Sequence, residues 1–161
     1  MDVESVESSG EFVPNVTFEK AELTEDRTTR NNKFVRVKLI EQGVHIGWLG
    51  KDSDGWCIIS DQPTLIQPYL WSDGKTYYRD QGGYWLSIKE KNDSHEVGFY
   101  SRWASAIPWW LEGNRFFSYY TTFGGKRPEL SKWRNQINKR LYLTVEDPKF
   151  LITLDVKFEE Q

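Results

Sequence analysis

The sequence predicts an all-β fold, and three observations carry that prediction. Short stretches of β-branched and aromatic residues are separated by clusters of Gly, Asn, Asp and Pro, the pattern of strands and turns. Several stretches alternate, so that Phe34, Arg36 and Lys38 fall on one face of an extended chain and Val35, Val37 and Leu39 on the other. Between the stretches, Asp54-Gly55, Asp73-Gly74 and Gly113-Asn114 supply residues that tolerate positive φ.

Twelve strands are expected, over 16–23, 34–40, 44–49, 56–60, 69–71, 76–79, 84–89, 97–103, 109–112, 115–121, 141–145 and 150–158. One segment reads as a short helix inserted between strands. Pro128 and Glu129 open it, and Leu130, Trp133 and Ile137 recur at spacings of three and four. Residues 1–12 combine Asp2, Glu4, Glu7 and Glu11 with serines and a glycine, which predicts a disordered acidic tail before a single β domain over 13–161.

At 161 residues the chain has the size of one domain that can bury a core without disulfides or metal. Aromatic residues make up 16% of it, including eight tryptophans, so large rings must supply much of that core. Cys57 is the single cysteine and lies in the apolar run Trp56-Cys57-Ile58-Ile59, which predicts a buried, inert thiol. The net charge of −3 argues against a nucleic-acid partner. The N-terminal residues lack the basic and apolar regions of a secretory signal, so the expected location is cytoplasmic, or outside the cell after release without a signal peptide.

Twelve strands raise the question of a threefold repeat. Pro14-Asn15-Val16, Pro68-Tyr69-Leu70-Trp71 and Pro108-Trp109-Trp110-Leu111 set proline before bulky residues three times. The runs beginning at Phe34, Trp85 and Leu141 recur at separations of 51 and 56. In these near-equal thirds the chain resembles the β-trefoil superfamily of lectins and inhibitors, over roughly residues 14–158. It lacks the Gln-x-Trp motif of the ricin-type lectins there, so the resemblance carries over no sugar-binding residue. An antiparallel β-sandwich is the alternative architecture for the same strands.

No phosphate-binding glycine loop, His-Glu-x-x-His, Cys-x-x-Cys or Gly-x-Ser-x-Gly occurs, and no catalytic residue, metal ligand or cofactor is assigned. Lys51-Asp52-Ser53-Asp54-Gly55 has the oxygen alternation of a calcium loop's start but not its later acidic residue, and reads as a hairpin turn. The expectation is a non-enzymatic recognition domain of lectin type, its ligand a carbohydrate or glycoprotein. The ligand-binding candidates are Trp71, Trp109 and Trp110 as stacking rings, with Asp73, Asn114 and Arg115 as polar partners from turns. Lys126, Arg127, Lys132, Arg134, Lys139 and Arg140 form a basic stretch opposed only by Glu129, which reads as a solvated helix face or as an anion site with Trp133 as its stacking ring. Two other partner classes stay open. One is a protein partner, as for a protease inhibitor or toxin component; the other is a membrane surface met by the aromatic run Phe116 to Tyr120.

Overall fold

The computed structural model describes residues 29–30, 33–91, 94–119, 127–135, 138–145 and 150–160. Over them the chain is all-β, with antiparallel pairing throughout one sheet of fourteen strands. The strands are β1 (Thr29–Arg30), β2 (Val35–Glu41), β3 (Val44–Lys51), β4 (Cys57–Ser60), β5 (Ile66–Leu70), β6 (Thr76–Asp80) and β7 (Trp85–Lys91). They continue as β8 (Ser94–Tyr100), β9 (Trp109–Glu112), β10 (Arg115–Ser118), β11 (Glu129–Trp133), β12 (Leu141–Thr144), β13 (Leu151–Thr153) and β14 (Asp155–Glu160). A single 3-10 turn at Trp103–Ser105 is the one helical element among the described residues.

Alternation decides which face each strand buries. In β2, Val35, Val37 and Leu39 are buried while Arg36 and Lys38 stay half-exposed, as the sequence pattern requires. β2 pairs with β5 through Val35 and Ile66, β5 with β6 over five residue pairs, and β6 with β9 through Thr76 and Trp109. β9 pairs with β10 over four residue pairs, β10 with β14 through Arg115 and Asp155, and β14 with β2 over six. The chain of pairings therefore returns to its start, and closure of this kind leaves none of the six strands an open edge.

Between consecutive members of this ring the chain inserts three hairpins: β3–β4, β7–β8 and β11–β12, the last widened by β13 alongside β11. Their second strands meet pairwise, through Trp56 and Gly98, Glu96 and Tyr142, and Ile58 and Arg140. Ring and hairpins bury one continuous cluster that includes Val37, Leu39, Leu49, Ile66, Trp109 and Phe116. Trp109 and Phe116 stack at 4.9 Å, and the Trp109 indole N–H donates to the Leu86 carbonyl at 3.1 Å. A second, aromatic cluster of Tyr69, Trp71, Tyr77, Trp85 and Trp103 packs beside it.

Three expectations are corrected. The segment opening at Pro128 is not a helix: Glu129–Trp133 is a strand held by β10, β12 and β13, and its first four residues are buried. Partners on both sides override a local spacing that merely permits a helix. The expected strand over 150–158 is two, because Leu154 breaks the run, its N–H donating to the Leu130 carbonyl at 2.9 Å. The recurrence at 51 and 56 residues joins strands in unlike positions, a ring strand (β2) and two different hairpin strands (β7 and β12). The ring strands that precede the hairpins begin at Val35, Thr76 and Arg115, 41 and 39 residues apart. The acidic tail, the Pro14 segment and the strand over 16–23 lie outside the described residues.

Candidate functional site

Of the eight tryptophans, four are buried (Trp71, Trp85, Trp103 and Trp109) and four are half-buried (Trp48, Trp56, Trp110 and Trp133). A stacking platform must come from the second group. Trp71, at 5% exposure, belongs to the aromatic cluster, and Trp109, at 0%, to the main core, so two of the three rings expected to stack on ligand are packing residues. Two of the three polar candidates, Asp73 and Arg115, have side chains committed to structure. Asp73 Oδ1 accepts from the Lys75 backbone N–H at 2.8 Å and Oδ2 from the Tyr77 hydroxyl at 2.9 Å, closing the turn between β5 and β6 around Gly74, whose φ is +84°. Burial, with that carboxylate beside it, pushes the Tyr77 hydroxyl well above the usual phenol range. The Asn114 carbonyl accepts from the Val156 N–H at 2.8 Å. Arg115 forks onto Glu129, with Nη2 at 2.6 Å and Nε at 3.2 Å, which raises the pKa of its guanidinium.

Trp110 is half-buried, but its surroundings are occupied. Phe117 stacks on it at 5.0 Å, Tyr119 leans on it at 4.3 Å, and the Arg127 guanidinium approaches at 5.8 Å. Trp48 is likewise approached by Arg36 at 4.8 Å and Trp56 by Arg140 at 4.5 Å. In the Phe116 to Ser118 run all three side chains are buried and only Tyr119 emerges, while Tyr120 lies outside the described residues.

Trp133 stands differently. It lines a concavity of about 150 Å³ between the β3–β4 hairpin and the β11–β12 segment, together with Ile46, Ile59, Ser60, Asp61, Lys132, Asn138 and Lys139. The two walls are docked by the Ile59 N–H donating to the Lys139 carbonyl at 2.8 Å and by the Ile58–Arg140 bridge. Trp133 is held edge-on to Tyr142 and tilted against Phe150, and its indole N–H donates to the Tyr142 hydroxyl at 2.9 Å. Asn138 donates to the same hydroxyl at 3.2 Å and accepts from the Arg140 N–H at 2.9 Å. The walls are therefore fixed before any ligand arrives, which limits the ordering cost of binding.

Lys132 is the unusual member. Its side chain is 2% exposed, ion-paired to Glu41 at 3.2 Å, and donates to the Trp133 carbonyl at 2.9 Å. It and Lys139 come from the basic stretch, which is not a solvated helix face. Arg127 pairs with Glu112, Arg140 pairs with Glu96, and Lys126 lies outside the described residues. Elsewhere Asp52 closes its hairpin turn by accepting from the Asp54 and Trp56 N–H groups at 2.9 Å each. Cys57 is fully buried, and burial pushes its thiol far above the ordinary range.

The structure thus keeps Trp110, Asn114 and Arg115 near one another on the β9–β10 hairpin and does not join them to Trp71, Asp73 or Trp109 in a common cleft. The concavity residues Ser60, Asp61, Lys132, Trp133, Asn138 and Lys139 were not singled out as a group in sequence, because they come from two segments about seventy positions apart. Comparison with protein-family models, with curated proteins and with solved structures finds no match.

Proposed function

We propose that this protein is a carbohydrate-binding module of β-trefoil type that holds a sugar in the concavity walled by Trp133. The observation that carries the reading is one half-buried indole sharing a small cleft with Asp61, Asn138 and Ser60. A pyranose has an apolar face that packs on an aromatic ring and hydroxyls that need planar donors and acceptors at its edge. At about 150 Å³ the cleft falls below the ~300 Å³ at which drug-sized sites begin, which suits a single ring. The six-strand closure with three inserted hairpins, repeated at intervals of 41 and 39 residues, supports the trefoil reading. Binding rather than glycoside hydrolysis is favoured because Asp61 is the one carboxylate that lines the cleft, whereas hydrolysis ordinarily needs a facing pair.

Glycan-array screening followed by fluorescence titration tests the reading. Loss of the stacking face in Trp133→Ala should weaken binding by about tenfold, the equivalent of ~1.4 kcal/mol. Trp110→Ala, with its ring already covered, should change affinity less than about twofold. An array without hits, or affinity lost in Trp110→Ala and kept in Trp133→Ala, overturns it.

A further inference from the structure

The hydrogen-bond inventory of the concavity is lopsided. An ammonium has three N–H donors, and among the described residues Lys132 meets two acceptors, the Glu41 carboxylate and the Trp133 carbonyl. Lys139 is exposed and has no ion-pair partner among the described residues. The Ser60 hydroxyl oxygen accepts from the Gln62 N–H at 3.0 Å, which leaves its own proton to donate. Asn138 accepts from the Arg140 N–H and gives one amide proton to Tyr142, so its second amide proton remains. Against these four donor groups, two of them cationic, the lining offers a single anionic side chain, Asp61.

A neutral sugar answers such a site poorly, because each hydroxyl that accepts a bond also brings a proton that needs an acceptor. A carboxylate or sulfate accepts without bringing one, and its bonds to ammonium groups are roughly twice as strong as neutral ones. Glu41 offsets Lys132, and Asp61 sits exposed at the rim, where water screens it. The buried donor is short of acceptors and the rim carboxylate is not short of solvent.

We propose that the ligand bound here carries an anionic group, a carboxylate or sulfate ester, seated among Ser60, Lys132, Asn138 and Lys139. The sugar ring in this proposal rests on the carbohydrate reading above; the anion does not. The full chain is titrated calorimetrically with D-glucuronate, glucose 6-sulfate, neutral glucose and inorganic sulfate. The acidic sugars should bind at least about tenfold tighter than glucose, and salt should erode only that advantage, since screening acts on the charged pair. Lys139→Gln, an exposed change that spares the buried ion pair, should remove about fivefold from the acidic ligands, a larger factor than it takes from glucose. A stronger response to glucuronate identifies a carboxylate site, and to the ester a sulfate site. Glucose binding as tightly as the acids, or an acid preference untouched in Lys139→Gln, overturns the anion proposal. Sulfate bound in a Lys139-dependent way with no sugar bound retires the carbohydrate reading and upholds the anion site; binding of no probe removes both.

Discussion

The Lys132–Glu41 pair is the sharpest place to test the energetics behind the concavity. Its Nζ and Oε1 lie 3.2 Å apart, with the lysine side chain 2% and the glutamate side chain 22% exposed. At that separation and an effective dielectric of ~20, the Coulomb attraction is about 5 kcal/mol, most of it cancelled by desolvation. Glu41→Gln removes the compensating charge but leaves the ammonium buried with the Trp133 carbonyl as its acceptor. Stranding a fully buried charge costs ~3–5 kcal/mol; because Glu41 is partly open to water, the expected loss is about 2–3 kcal/mol. Adding Lys132→Met to Glu41→Gln removes the stranded charge as well, and the double variant should recover at least half of that loss. Urea denaturation with a double-mutant cycle reads the coupling directly. A Glu41→Gln protein as stable as the parent, or a double variant less stable than the sum of the singles, refutes the assignment of Lys132 as a desolvated, paired cation.

Two further outcomes follow from the same structure. Asp73→Ala removes the acceptor for the Lys75 N–H and the Tyr77 hydroxyl and should cost about 1–3 kcal/mol in denaturation, while the affinity for any cleft ligand stays within about twofold. Stability should fall as pH rises above about 9, because the Cys57 thiol and the Tyr77 and Tyr78 hydroxyls all have raised folded-state pKa values, Tyr78 at about 12, so the unfolded chain loses its protons first. Midpoints measured from pH 7 to 11 check the sign, and rapid modification of native Cys57 by a thiol reagent at pH 8 would contradict the burial that underlies it.

Much of the strand framework was legible because it depends on local chemistry. The strand over 109–112 is found with the expected bounds, and β2 buries the expected face. The Asp73-Gly74 turn was legible as a turn, but not the side-chain closure by Asp73: an aspartate that closes an Asx turn and one that meets a sugar look alike in sequence. The helix expected from Leu130 and Trp133 failed for a related reason. Spacings of three and four also fit a strand buried on both faces, and no local signal reveals the partners that β10, β12 and β13 provide. The anion-site alternative for the basic stretch already paired Lys132 and Lys139 with Trp133, but not with Ser60 and Asp61, which reach the cleft from the β3–β4 side through long-range docking.

Composition and period alone establish an all-β chain with aromatic rings to place in its core, because hydrophobic alternation and turn residues act over a few positions. Which rings those are depends on long-range packing. Trp109 is enclosed by Phe116 from the paired strand β10 and by Leu86 from β7, Trp110 by Phe117, Tyr119 and Arg127, and Trp133 is left at a cleft only because the β3–β4 hairpin docks against its segment. Burial is a property of the assembled neighbours rather than of the residue, so eight similar indoles in sequence become four core residues, three covered rings and one wall of a cleft.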